Sequence, residues 1–465
     1  MKNFIRFLNH SCIQIKGIDT TILCDPWFEG SAFGNGWSLL HDNSHNINNL
    51  KFDYIWISHE HPDHFSLPTI NKLKGSKKFL YQKTIDKKVK FFLEKKGHEV
   101  IELPNKIPKK VGDLLLTSVV CDGYDSSLIV KFQDGKVAIN INDARVDLNG
   151  HIEKDIIPVL KSDRVDLLMF QFSYANWAGN PGDFNIAKHQ QYLVDKKNDY
   201  AISKLSPKMI MPFASFIYYS NEENFYWNEN SWLQHIYLKY NSSKLKLLIP
   251  KPNQTIEMTE IDNKNFSKEN LDSLYFWQNL QNKIEKKYFT KSFTIDEIKE
   301  QYNIFLDKLH KQNSIFTLAN KNENFFLQFK IIDLDIFVKV GLLKKSFIVL
   351  ADHKNEIVSE ITSEIFFLLF SQLFARGTVL VNSRIKFNYD LAHRFFLFFL
   401  IPYANNIGLK FDSPDENFKR MIKSIPHLSV MKSITYFNKE SDLNMNKDIN
   451  NLLSFFQETR DKLSQ

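Results

Sequence analysis

The sequence predicts an α/β sandwich, with helices outside two packed sheets, followed by a smaller C-terminal α+β region. Three observations predict it. Through about residue 260, short apolar runs bounded by turn residues alternate with stretches of helical spacing. After about Met258 the order changes to helices, then strands, then helices. At 465 residues the chain is also too long for one compact core. The expected division is 1–260 and 261–465.

The elements follow in order. Early strands are expected at Phe4–Leu8, Cys12–Ile15, Thr21–Cys24 and Tyr54–Ile57. From Thr84 to Lys96, Ile85, Val89, Phe92 and Leu93 recur at helical spacing. Leu114–Val120, Leu128–Phe132 and Val137–Ile141 read as strands, the last two joined by the hairpin signal Asp134-Gly135. Asp166–Phe172 and Met209–Phe213 read as buried strands, with a helix between them starting near Asp183. In the C-terminal region, 266–288 and 295–311 read as helices, and Phe325–Phe329, Ile336–Val340 and Phe347–Ala351 as strands. A helix is expected from Ser359 to Phe374, and further helical parts over 388–400 and 446–463.

Composition excludes several classes. The hydrophobic share of 43% and charged share of 24% are ordinary for a globular protein. The net charge of +7 is scattered, with no run of five or six basic residues, so no nucleic-acid partner is expected. A mild cationic field favours a small-molecule anionic substrate. Cys12, Cys24 and Cys121 form no Cys-x-x-Cys pair, which excludes a disulfide framework, a Cys-rich zinc finger and an iron–sulfur cluster held by this chain. The N-terminus has no apolar stretch of signal-peptide length, and the run Phe395–Pro402 falls far short of the ~20 residues that span a bilayer. The expectation is a cytoplasmic protein without a membrane partner.

One segment carries chemistry. The expected strand Tyr54–Ile57 leads through Ser58 into His59-Glu60-His61-Pro62-Asp63-His64. Only 14 histidines occur in the chain, and three fall within these six residues, a density that no packing role requires. In extended backbone His59 and His61 point the same way, and Pro62 turns the chain so that Asp63 and His64 face a neighbouring position. Two adjacent metal positions follow, one through His59 and His61 and one through Asp63 and His64. Imidazole and carboxylate donors suit iron, zinc or manganese alike.

These residues fit the His-x-His-x-Asp-His signature of the metallo-β-lactamase superfamily. Within it, Phe7–Cys12, the block Asp25-Pro26-Trp27 through Leu39-Leu40-His41, Asp125–Val130 and Pro212-Phe213-Ala214 resemble the non-Rieske domain of the CMP-N-acetylneuraminate hydroxylase family. The resemblance covers approximately residues 4–258. It implies an αββα metallo-β-lactamase-like sandwich with a metal centre at the rim, and iron-dependent hydroxylation with electrons from a Rieske cluster. It also implies that Asp143, in Asn140-Ile141-Asn142-Asp143, bridges two metals.

The departures bear on the metal. Where the superfamily places a further His before the Asp125 strand, this chain has Cys121-Asp122-Gly123-Tyr124-Asp125, leaving Asp122 or Asp125 as the replacement ligand. Where the last His follows the strand ending near Met211, it has Pro212-Phe213-Ala214-Ser215. More carboxylate and less imidazole shifts the choice from zinc toward iron, two ions being expected, with zinc or manganese as alternatives. His10 and His41 are candidates for ligand or acid/base roles beside Asp63. Trp27 and Trp37 are candidates for lining a substrate pocket, Arg145 for holding an anionic group, and Tyr174–Gly182 for a substrate loop. Two activities remain open. One is an oxygenase acting on a polar, nucleotide-sugar-like substrate with a separate electron-donor protein; the other is a dinuclear hydrolase in which Asp63 orients a metal-bound hydroxide.

Overall fold

The computed structural model describes residues 2–41, 47–121, 125–229, 232–241, 245–314, 325–342, 346–351, 356–406, 408–412 and 415–463. The chain forms two compact units. Unit 1 comprises Met1–Ala175, Gln191–Ser220 and Trp227–Lys286, and unit 2 comprises Asn176–Gln190, Asn221–Tyr226 and Lys287–Gln465.

Unit 1 is built on two seven-stranded sheets. In the first, Phe4–Asn9, Cys12–Lys16 and Thr21–Cys24 pair antiparallel, and Tyr54–Ile57, Lys78–Gln82 and Glu99–Leu103 then continue it in parallel. In the second, Leu114–Cys121, Asp125–Lys131 and Val137–Asn142 are antiparallel, and Leu167–Gln171 and Met209–Phe213 extend it in parallel. One continuous core joins their inner faces, with Ile5, Ile13 and Ile15 from the first sheet and Leu116, Leu128 and Val130 from the second. The outer face of the first sheet packs Ile55 and Phe79 against Val89 and Leu93 of the helix Lys88–Lys95. The second sheet receives Ala201 and Leu205 of the helix Phe184–Leu205 and Ile236 and Tyr240 of the helix Trp232–Tyr240. This is the αββα layering expected from the sequence. At the Asp134-Gly135 hairpin Gly135 adopts φ +83°, and Phe132 N–H donates to Lys136 O at 2.9 Å.

The boundary at 260 falls inside unit 1. The helix Ser267–Gln281 carries Trp277, which is buried, stacks on Phe216 at 4.1 Å and donates from Nε1 to Pro250 O at 2.8 Å. Burying a tryptophan ties this helix to the first core, so the break follows Lys286.

Unit 2 holds a five-stranded sheet that includes Phe326–Ile331 and Ile336–Gly341, with helices around it. Here the expected helix from Ser359 to Phe374 is divided. Ile357–Ile361 is a strand, parallel to Phe326–Ile331, and the helix is Ser363–Ser371. Val358 and Ile361 are buried on the sheet, and the Thr362 hydroxyl then accepts from Ile365 N–H as the N-cap of the helix. No helix among the described residues is long and apolar enough to cross a membrane.

Candidate metal centre

The donors gather where strand ends meet. His59 to His64 follow the strand Tyr54–Ile57, Asp125 opens the strand Asp125–Lys131, and Asp143 follows the strand Val137–Asn142. His10 sits in the turn between the first two strands, with φ +27°. Three groups result, each with its donor atoms within 4.8 Å of one another: His10, Asp63 and His64; His59, His61 and Asp125; and His59, His64 and Asp143. The first is buried, whereas His61 is exposed and Asp125 and Asp143 are partly so. One side of the centre is therefore closed and the other open.

The distances are those of converging donors. Asp63 Oδ2 lies 3.2 Å from both His10 Nε2 and His64 Nε2. Asp143 Oδ2 lies 3.6 Å from His59 Nε2 and 3.8 Å from His64 Nε2, so one carboxylate oxygen faces both sides. Asp125 Oδ1 lies 3.8 Å from His59 Nε2. His59 Nε2 and His61 Nδ1 meet at 2.7 Å. Burial alone would raise the Asp63 and Asp143 carboxyls, but the facing imidazoles outweigh it: Asp63 is held well below the usual carboxylate range, and Asp143 below it. For His64, burial is outweighed by Asp63 and Asp143, which hold it well above the usual imidazole value. Burial lowers His10, against the pull of Asp63.

The residues fit a metal. Asp63 Oδ1, Asp143 Oδ1 and His10 Nδ1 are covered atoms with no hydrogen-bond partner among the described residues. With these atoms unpartnered and Asp143 Oδ2 facing both His59 and His64, a pair of cations would satisfy what the side chains leave unpaired.

A second layer holds these ligands. Asp25 is fully buried after the strand Thr21–Cys24, and its carboxylate accepts from Ser58 N (2.7 Å), Ser58 Oγ (2.8 Å) and Asn142 Nδ2 (2.9 Å) and faces His64 Nδ1 at 3.1 Å. It thereby orients the His64 ring, a role that sequence reasoning missed although Asp25 opens one of the resembling blocks. Lys197 was also missed, because nothing local distinguishes it from other helix lysines. It is buried, donates to Asp143 O at 3.4 Å, and is lowered by that burial.

Other candidates are placed differently. His41 packs against Phe276 at 5.8 Å and joins none of the donor groups. Asp122 lies outside the described residues. Trp27 is fully buried, edge-on to His10 at 5.6 Å, and Trp37 is buried against Phe33 at 4.8 Å, so both are packing residues rather than pocket walls. The Arg145 fork is engaged by Asp147, at 3.0 and 3.1 Å. In the proposed substrate loop, Trp177 is buried in the core of unit 2 and donates to Ile385 O at 2.9 Å, while Asn180 exchanges hydrogen bonds with Phe387. A cavity of about 550 Å³ in unit 1 is lined by aromatic groups including Tyr174, Phe216, Trp227 and Trp277. Phe216 follows by two residues Ala214, whose N–H donates to His10 O at 2.8 Å.

A two-sheet sandwich with these donors at its rim has the metallo-β-lactamase fold. Residues 4–153 match the family model described as the β-lactamase superfamily domain. Among curated proteins it is similar to cytidine monophosphate-N-acetylneuraminic acid hydroxylase of Danio rerio, 26% identical over 235 residues. That match covers 46% of this chain and 38% of the relative, so the chain spans less than half of the relative's length. Among solved structures it is similar to CmlA, a diiron beta-hydroxylase from Streptomyces venezuelae, at 13% identity and a TM-score of 0.39, covering 55% of this chain and 54% of that one. It is also similar to isothiocyanate hydrolase from Delia radicum gut bacteria, at 14% identity and a TM-score of 0.40, covering 54% and 98%.

Proposed function

We propose that this chain is a di-iron hydroxylase acting on a polar, anionic, sugar-nucleotide-like small molecule, with electrons supplied by a separate protein. The observation that carries the reading is the donor set: three carboxylates and four imidazoles in three groups linked through His59 and His64, both of which Asp143 Oδ2 faces. Each group sets two imidazoles beside one carboxylate, the donor ratio that suits non-haem iron. The substrate class rests on the named activity of the 26% identical relative.

In this reading His10, Asp63 and His64 would hold one ion in the buried position and His59, His61 and Asp125 one in the open position, with Asp143 facing His59 and His64. Two iron ions bound there supply dioxygen activation and the redox change that hydroxylation needs. The remaining work belongs to the protein. Asp25 and Ser58 fix the ring of His64, and the exposed flank at His61 and Asp125 admits substrate. The buried Lys197 ammonium donates to the Asp143 carbonyl and holds the backbone of that ligand in place. Electrons are assigned to a donor outside these residues, because the three cysteines are buried and none belongs to a donor group.

Elemental analysis and an absorption spectrum of protein from iron-supplemented cells test this. Close to two irons per chain, with a visible band and turnover that requires an added electron donor, is the expected result. Zinc that resists exchange, no visible band, and cleavage of an ester or phosphodiester panel would instead establish the dinuclear hydrolase.

A further inference from the structure

Unit 2 contains two largely covered arginines in opposite circumstances. The Arg384 side chain is fully buried and doubly paired, with Glu223 at 2.5 Å and Glu364 at 2.6 Å. Arg376 has no carboxylate and no hydrogen-bond partner among the described residues, and its Nε is covered. Its guanidinium lies flat enough over Tyr403 to place its carbon 4.0 Å from the ring centroid, with Phe396 at 5.9 Å. Ring faces hold a cation in place but do not satisfy its N–H donors.

This unpaired fork borders a cavity of about 240 Å³ within unit 2. Its apolar walls include Phe305, Leu309, Phe370 and Phe399, its polar lining includes Gln301, Gln312 and Asn405, and the side chains of Ile304 and Leu373 stand exposed at its edge. The lining includes Lys308 and no Asp or Glu, so its only full charges are positive. Arg376 is the second residue of the helix Ala375–Asn382, which starts from Phe374 at φ +56° without a side-chain cap. The uncapped N–H groups of that first turn add partial positive charge on the same side.

We infer that this cavity binds an amphipathic monocarboxylate, its carboxylate on the Arg376 fork and its apolar body against Phe305, Leu309 and Phe399. The charge matches, and a planar carboxylate accepts two parallel bonds from a guanidinium. The volume admits a body of about eight water-sized groups, which suits an eight-carbon acid. Arg376 is only partly buried, but its covered Nε lacks an acceptor, and a bound carboxylate would supply one. The site is independent of the metal centre and of the reaction proposed there.

Calorimetric titration of the full chain with octanoate, against 1-octanol as an uncharged probe of equal length, tests the inference. Octanoate is expected to bind once per chain and at least about tenfold more tightly than octanol, the worth of one good charged pair. Arg376→Gln removes that preference, and Arg376→Lys, a point charge without the fork, recovers part of it. Should Arg376→Gln fail to fold, Ile304→Glu at the exposed edge tests the same charge logic and weakens octanoate but not octanol. Octanoate binding no tighter than octanol, or binding unchanged in both Arg376→Lys and Ile304→Glu, overturns the assignment.

Discussion

Four non-glycine residues around the metal centre adopt left-handed backbone: His10 (φ +27°), Asp25 (+41°), Asn142 (+53°) and Ala214 (+52°). Each such residue costs on the order of 1 kcal/mol or more, and they persist because the surrounding contacts over-determine them. At Asp25 the reason is visible, since the strained backbone aims one carboxylate at Ser58, Asn142 and His64 together. Asp25→Asn keeps the volume but cannot hold His64 with a full negative charge. It is expected to weaken metal binding by roughly tenfold to a hundredfold, measured by competition with a chromogenic chelator, with the circular dichroism spectrum unchanged. Unaltered affinity in a folded variant would reduce Asp25 to a packing role. The contiguous donors His59, His61, Asp63 and His64 were legible in the sequence because local chain geometry alone brings them together. The setting of Asp25 and Asn142 was not legible, because separate strand ends deliver them, whereas His10 was a candidate only through the resembling segment Phe7–Cys12. His41 lay in the same resembling block as Trp27 but packs on Phe276, away from the donor groups.

At the scale of elements, the end of the second sheet away from the donors is tied by charge rather than by metal. Asp262, in the short helix Glu260–Asp262, pairs with Lys136 at 2.5 Å and Lys208 at 2.7 Å, and both lysines also reach Asp166. Hydrogen bonds from Lys136 and then Lys208 lower the Asp262 carboxyl to about 2. An unfolded aspartate titrates near 3.9, so this depressed group stabilises the fold above about pH 4 and loses its contribution as pH falls toward 2. Asp262 is substantially exposed, which limits its worth to about 1 kcal/mol or less. Asp262→Asn is accordingly expected to lower the denaturant midpoint slightly at pH 6 and to match the parent at pH 2. A gap that stays constant with pH would mean that the ionised carboxylate is not the source. Elements of this sheet were legible from short apolar runs closed by turns, such as Met209–Phe213. The strand Ile357–Ile361 was missed because its residues run directly into the apolar helix Ser363–Ser371, and only the Thr362 cap marks the break.

At the scale of the whole molecule, each unit has its own main hydrophobic core, and among the described residues the donor set lies in unit 1. The core of unit 2 rests heavily on phenylalanine: Phe366 is fully buried among Phe329, Phe370 and Phe347, at ring distances of 5.0, 5.2 and 6.2 Å. Truncating such a ring removes both its transfer free energy and its packing, about 3–5 kcal/mol. A metal that binds only the native centre stabilises it by about 2.7 kcal/mol when present at a hundred times its dissociation constant. These two perturbations should therefore act on different parts of a calorimetric unfolding trace. Phe366→Ala is expected to lower one transition while leaving metal stoichiometry at the centre unchanged, and added iron is expected to raise the other. If the variant instead loses its metal in step with its lowered transition, or if iron raises both transitions equally, the two cores unfold as one cooperative body. The accessory region would then be a stability requirement of the metal centre rather than a separately folding unit.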